Sequence, residues 1–198
     1  MKKKTLFLII LGLLVVIAGG VFWWRQERET KGSPKDYVVK ETSEGIFVEN
    51  KKAGLKIEVP EGWKVKKVET EEGWIMFYSP ETNLEWERDG RILLPLERGC
   101  IIDISVIYEE MDLIDIKLDI KYGLATLGLK SLKFDERLIK NRYPALQATF
   151  TTEKTGEGVI INVPYNKRVY NFGLSWGSKE KEECLKEFNK FLERIQIK

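Results

Sequence analysis

The sequence predicts an α+β fold in which a largely antiparallel β-sheet is flanked by helices. Short segments such as LKIEV (55–59) and CIIDISVIY (100–108) alternate apolar and polar residues with the period of a β-strand. The last segment instead places its apolar residues one, three and four positions apart, which is typical of an amphipathic helix. Because such a helix must bury its apolar stripe, and a sheet face is the available partner, we expect helices to pack on the sheet.

The first 25 residues predict a membrane anchor. Three lysines are followed by an uncharged run from Thr5 to Trp24, which as a helix spans about 30 Å, the thickness of the hydrocarbon core. The positive-inside rule then puts the N-terminus in the cytoplasm and the remainder outside. The alternative is a cleaved signal peptide with Val16-Ile17-Ala18 before the cut. The predicted organisation is therefore 1–25 transmembrane anchor or signal peptide, 26–35 flexible tether and 36–198 extracytoplasmic α+β domain.

The first half of the domain reads as a series of short strands. Segments 37–39 and 45–48 are β-prone. LKIEV leads into Pro-Glu-Gly-Trp, whose proline and glycine are typical of a β-turn. We expect a hairpin there, with Trp63 closing one edge of the core. WKVKKVE (63–69) and WIMFYSP (74–80) are separated by the turn signal TEEG. Residues 81–99 are polar and irregular.

The second half contains one ambiguous segment. In 111–127, alternation of isoleucines, leucines and Tyr122 favours a strand, while a second spacing allows a helix. RYPALQATF (142–150) predicts a strand, and 159–163 with 168–176 predict a hairpin about the turn PYNK. The final helix is predicted to begin at Ser178 as N-cap. Its apolar stripe comprises Cys184, Leu185, Phe188, Phe191, Leu192 and Ile195.

Composition excludes several functions. The chain contains no histidine, so it cannot form a Ser-His-Asp or Cys-His catalytic group. It also lacks the commonest zinc ligand. No phosphate-binding glycine motif occurs. Removing the four basic residues of 1–25 leaves 29 basic against 31 acidic residues in 26–198, so nucleic acid is not an expected partner. We expect no cofactor, no metal site and no catalytic residue.

Two sets of residues are candidate sites. Cys100 and Cys184 predict a disulfide if the domain is exported, the alternative being two separate buried thiols. The absence of a CxxC motif argues against redox catalysis. Trp86, Arg88 and Asp89 lie in the irregular stretch and form a candidate recognition surface, because loops often carry binding function. The other tryptophans of the domain are expected in the core or at its edge; these are Trp63, Trp74 and Trp176.

The order of these segments resembles the PsbP-like proteins, which are extrinsic proteins of photosystem II and their bacterial relatives. The resemblance rests on LKIEVPEGWKV with WIMFYSP, and on YPALQATF, VPYNKRVYNFGLSW and the terminal FLERIQI. It implies an α/β/α sandwich around an antiparallel sheet, with a helix across about 112–132. Known relatives act as accessory factors on a membrane complex, although one fold supports many functions.

The sequence thus predicts a non-enzymatic domain that docks to a protein at the outer membrane surface. The alternative is a receptor for a small ligand that uses residues 81–99, and a hydrolase is the third possibility. The expected partners are the membrane, through the anchor, and a protein.

Overall fold

A computed structural model describes residues 33–43, 45–68, 73–82 and 96–198. This part of the chain contains eleven strands, two α-helices and a 3-10 turn at Pro34–Asp36. The helices are α1 (Leu113–Ala125) and α2 (Lys181–Arg194). The strands are β1 (Tyr37–Thr42), β2 (Gly45–Asn50), β3 (Leu55–Glu58), β4 (Lys64–Val68), β5 (Trp74–Tyr78), β6 (Cys100–Ile107), β7 (Leu129–Ile139), β8 (Tyr143–Thr152), β9 (Gly156–Pro164), β10 (Val169–Trp176) and β11 (Gln196–Ile197).

The described strands form two antiparallel sheets. The large sheet has the order β4-β5-β6-β10-β9-β8-β7, and the small sheet has the order β1-β2-β3-β11. The small sheet and α2 cover the inner face of the large sheet, and α1 lies on its outer face. The predicted α+β class, an antiparallel sheet flanked by helices, is confirmed for the described residues, and the second sheet is a feature that the sequence did not predict.

The inner face of the large sheet carries the main core. Alternate residues of β6 and β10 point into it, as the period of a strand requires. Two tyrosines of the large sheet donate hydrogen bonds to backbone carbonyls beside and within the small sheet. Tyr170 Oη donates to the carbonyl of Ala53 at 2.6 Å, and Tyr143 Oη donates to that of Ile197 at 2.8 Å. These bonds fix the two sheets relative to each other.

The stretch LKIEVPEGWKV does not form the expected hairpin. The turn itself is present, because Trp63 N–H donates to the carbonyl of Pro60 and Gly62 has a φ of +78°. However, β3 pairs with β2 and β11 in the small sheet, whereas β4 pairs with β5 in the large sheet. The turn therefore carries the chain from one sheet to the other. Trp63 is buried between them in the main core.

The ambiguous segment is helical from Leu113 to Ala125, so the helix implied by the family resemblance is correct and the alternation is misleading. Asp112 is its N-cap, and its carboxylate accepts hydrogen bonds from the N–H groups of Ile114 and Asp115. The helix ends before the implied boundary, because the chain turns at Gly128 (φ +75°) and enters β7.

The other predictions for the second half hold with one correction. Strands β8, β9 and β10 are present, and the β9–β10 turn has positive φ at Asn166 and Lys167, as a two-residue hairpin requires. The stripe of α2 is buried as predicted. Its N-cap is Glu180 rather than Ser178, since the intervening residues form a turn that brings Glu180 N–H to the carbonyl of Gly177.

Cys100 and Cys184 form a disulfide that joins the start of β6 to the first turn of α2. Their Cα atoms are 5.6 Å apart, and both residues are buried in the main core. The bond therefore ties the last helix to the centre of the large sheet.

No helix among the described residues is both long and apolar enough to cross a bilayer. The predicted transmembrane segment, residues 1–25, lies outside those residues, as does most of the predicted tether.

Candidate functional site

The predicted recognition surface cannot be located, because Trp86, Arg88 and Asp89 lie outside the described residues. Of the tryptophans expected in the core, Trp63 and Trp176 are buried. Trp74, which was expected in the core or at its edge, is 38% exposed and lines the groove described next.

Helix α1 covers only part of the outer face of the large sheet. Its buried residues cluster with residues of β7, β8 and the start of β10, and Trp74 of β5 and Asp103 of β6 lie beside this cluster. A groove of about 570 Å³ runs along this boundary, between α1 on one side and Trp74 of β5 on the other. Grooves of this size accommodate small molecules.

The floor of the groove is polar although the strands around it are apolar. Ser105, Asn171 and Asn162 are cross-strand neighbours on β6, β10 and β9. Asn171 Nδ2 donates to Ser105 Oγ at 3.2 Å. Within the described residues, Asn171 Oδ1 and Asn162 Nδ2 are buried without a hydrogen-bond partner. The floor therefore presents one unsatisfied acceptor beside one unsatisfied donor.

Asp103 lies in the next row of the same floor, opposite Gly173. A Cβ atom at Gly173 would come within 2.4 Å of Asp103 Oδ1, so the absence of a side chain there leaves room for the carboxyl group. Burial raises the pKa of Asp103 to about 6, and a hydrogen bond from its own backbone offsets only part of this effect. No salt bridge to Asp103 forms within the described part of the chain.

The walls of the groove are apolar and its charged lining is acidic. Ile120 and Leu124 of α1 form one wall. The charged residues that line it in the described chain are Asp103, Glu109 and Asp119. Within the described part of the chain, no group of three or more His, Cys, Asp or Glu residues is arranged so that it could hold a metal ion. What the groove offers chemically is hydrogen bonding and negative charge beside an apolar surface.

Helix α1 carries a second surface feature, an apolar stripe that faces solvent. Ile114, Leu118 and Tyr122 are 67%, 46% and 72% exposed. Each residue advances about 100° around a helix, so this stripe lies opposite the buried stripe of Ile116, Ile120 and Leu124. Two opposed apolar stripes explain why the segment alternates like a strand. We call the exposed one the outer stripe.

Sequence reasoning missed the groove, although it contained signals for it. Asp103 is a carboxylate within the otherwise apolar CIIDISVI, and Asn162 and Asn171 interrupt two apolar strands. A buried polar residue in a strand is informative, because it needs a partner. Their convergence depends on the pairing of β6, β10 and β9, which the sequence does not show.

Comparisons with known proteins find similarity among solved structures. No protein-family model and no curated protein matches the chain. Among solved structures, the chain is similar to the solution structure of cyanobacterial PsbP (CyanoP) from Synechocystis sp. PCC 6803, with a TM-score of 0.46 and 12% identity, covering 82% of this chain and 93% of that one. That protein is a PsbP, and the PsbP-like proteins are the family that the sequence resembles. At these values the similarity concerns the fold only, and we base no functional conclusion on it.

Proposed function

We propose that this chain is a non-enzymatic docking domain that is held at the outer surface of a membrane and binds a partner protein through the outer stripe of α1. The observation that carries the proposal is the exposure of Ile114, Leu118 and Tyr122, three large side chains on successive turns of one helix. Single exposed apolar residues are ordinary, whereas an aligned set of this kind is typical of an interaction site.

The charged residues beside the outer stripe indicate the chemistry of the partner's surface. Lys117 and Lys121 follow one side of the stripe, and Asp115 and Asp119 follow the other. The matching surface is therefore an apolar ridge, such as one face of a helix, with acidic and basic residues on opposite sides. Such a charge arrangement favours one orientation of the partner over the reverse.

Two features support the proposed location. The disulfide between Cys100 and Cys184 suits an oxidising, extracytoplasmic compartment. The basic stub and apolar run of residues 1–25 suit an anchor with its N-terminus in the cytoplasm. The 26–35 tether would let the domain reach a neighbour in the same membrane.

Site-specific photo-crosslinking tests the docking surface. A benzophenone side chain in place of Leu118 is expected to give one reproducible adduct in intact membranes, while the same group in place of Lys40, an exposed residue of β1, gives none. The triple variant Ile114→Ser, Leu118→Ser, Tyr122→Ser should lose co-purification of that protein.

A matched triple variant of the same helix separates docking from helix stability. Asp115→Ser, Lys117→Ser and Lys121→Ser alter the flanks and leave the apolar stripe intact, so the partner should still co-purify, with weakened retention. Absence of any adduct at Leu118 would refute the docking face. An adduct only between two copies of this chain would refute a separate partner.

The anchor has its own test, the intact mass of the membrane-bound protein. We expect the mass of the full chain, 23.1 kDa. A mass that lacks about the first 18 residues, the predicted signal peptide, would show cleavage and overturn the anchor.

A further inference from the structure

We infer that the groove between α1 and the large sheet binds a small organic cation, a primary ammonium group next to an oxygen acceptor on an apolar body. This site is distinct from the outer stripe, which lies on the solvent side of α1, and the inference does not depend on the docking proposal.

The unsatisfied floor atoms point to a ligand with both a donor and an acceptor. Asn162 is only 4% exposed, lines the groove and has no partner for Nδ2. Asn171, directly opposite, has no partner for Oδ1. Buried polar groups without partners are rare in folded proteins because each one is costly. An N–H of the ligand would satisfy Asn171, and an oxygen of the ligand would satisfy Asn162.

The charges of the groove select a cation. Asp103 lies in the row beside the two asparagines and forms no ion pair within the described residues. Glu109 and Asp119 add negative charge at the lining, and no described Lys or Arg lines the groove. An ammonium group offers three N–H donors, which suits the Asp103 carboxylate together with Asn171 Oδ1.

The walls accommodate an apolar body. Ile120 and Leu124 present aliphatic surface, and the half-exposed Trp74 can contact both a ring and a cation. Gly123 also lines the groove, and a Cβ atom there would meet nothing within 4 Å. There is consequently open space beside α1 for a ring or short chain.

The raised pKa of Asp103 agrees with this geometry. Burial without a neighbouring cation lifts this pKa to about 6, and a bound ammonium group would lower it. Binding at pH 6 should therefore release protons, and affinity should fall as the pH drops below 6. Glu109 and Asp119 face the same groove. The part of the pH dependence that comes from Asp103 is therefore the part that Asp103→Asn removes.

Four matched probes test the inference on the full-length, oxidised chain in detergent micelles. They are 2-amino-1-phenylethanol, which has both groups, phenethylamine, which lacks the hydroxyl, 1-phenyl-1,2-ethanediol, which is neutral, and mandelate, which is an anion. In 15N–1H NMR spectra we expect the amino alcohol to shift the side-chain amide signals of Asn162 and Asn171 and the indole signal of Trp74. Phenethylamine should bind more weakly, and mandelate should not bind.

Two variants with matched controls complete the test. Asp103→Asn should lower the affinity for the amino alcohol about tenfold, because a charged hydrogen bond is lost. The affinity for the neutral diol should not change. Glu110→Gln removes the same charge from an exposed residue next to the groove residue Glu109. This variant should bind each probe with the affinity of the wild type. Gly123→Phe should fill the open space and abolish binding, whereas Gly123→Ala should retain it.

Three results would overturn the inference. One is the absence of any shift at Asn162 and Asn171 with millimolar amino alcohol. Another is equal binding of mandelate and the amino alcohol, which would remove the role of charge. The third is unchanged affinity in both Asp103→Asn and Gly123→Phe, which would place the ligand elsewhere. Because these readouts need no partner protein, their failure is distinct from failure of the crosslinking test.

Discussion

Replacing Asp103 by asparagine should stabilise the folded domain at neutral pH. The side chain keeps its shape, and the buried charge on the floor of the groove is removed. Burial raises the pKa of Asp103 from 3.8 to about 6. Each pKa unit corresponds to about 1.4 kcal/mol, so ionisation of this group opposes folding by up to about 3 kcal/mol. The value is an upper limit, because the groove opens to solvent.

The direction of the pH effect follows from the two pKa values. Below the unfolded value near 3.8, Asp103 is protonated in both states and costs nothing. Between 3.8 and about 6 the unfolded chain ionises first, and the folded state loses stability as the pH rises. Above about 6 the full penalty is present. The wild type should therefore gain stability from this residue on acidification from pH 7.5 to 5, and Asp103→Asn should not.

Guanidinium unfolding of the oxidised full-length chain, followed by tryptophan fluorescence at several pH values, measures the effect. The quantity to compare is the difference in free energy of unfolding between variant and wild type, since other carboxylates titrate in both proteins. We expect this difference to be positive at pH 7.5 and to shrink towards pH 5.

Asp119→Asn is the control, because this exposed acid lines the same groove from α1. It should leave the pH dependence unchanged. If Asp103→Asn is less stable than the wild type at pH 7.5 and both follow the same pH profile, Asp103 has a stabilising partner and the desolvation argument is wrong.

Two further substitutions and reduction of the disulfide probe the core and the links between its layers. Phe191→Ala should lower the free energy of unfolding by about 3–5 kcal/mol, because Phe191 is fully buried and packs edge-to-face on Phe77 at 5.3 Å; Tyr122→Ser should change it little. Calorimetry with and without reductant should show that breaking Cys100–Cys184 costs about 2–5 kcal/mol, and an unchanged melting temperature would contradict this. Tyr170→Phe leaves the Ala53 carbonyl without its donor and should lower the free energy of unfolding by about 1–3 kcal/mol. Denaturant titration measures this loss, and an unchanged free energy would show that water replaces the hydroxyl.

Helix α1 shows why a local pattern can indicate the wrong structure. Its hydrophobic residues fall on two opposite faces, and only one face is buried by the sheet. A sequence with apolar residues at every second position is then compatible with a strand and with a helix. The signals that favour the helix are the Asp112 cap and the Gly128 turn, which mark its ends.

The turn at Pro60-Glu61-Gly62 shows a different limit. Local chemistry determined the turn correctly, because proline fixes its own φ and glycine permits a positive one. However, β3 pairs back with β2 and with β11 from the other end of the chain, whereas β4 pairs forward with β5. A turn between two strands therefore did not imply that those strands pair.

By itself the sequence determined the α+β class, the positions of most strands, the buried stripe of α2 and the candidacy of Cys100 and Cys184 for a disulfide. These features depend on residue periodicity and local turn chemistry, which are properties of neighbouring residues. Only the tertiary structure decided the split into two sheets, the exposure of the outer stripe and the meeting of Asp103, Asn162 and Asn171 in one groove. The two sheets and the groove floor depend on the pairing of strands far apart in the chain, because each residue's neighbours across a sheet are set by the pairing of whole strands. The exposure of the outer stripe depends on which face of α1 packs on the sheet.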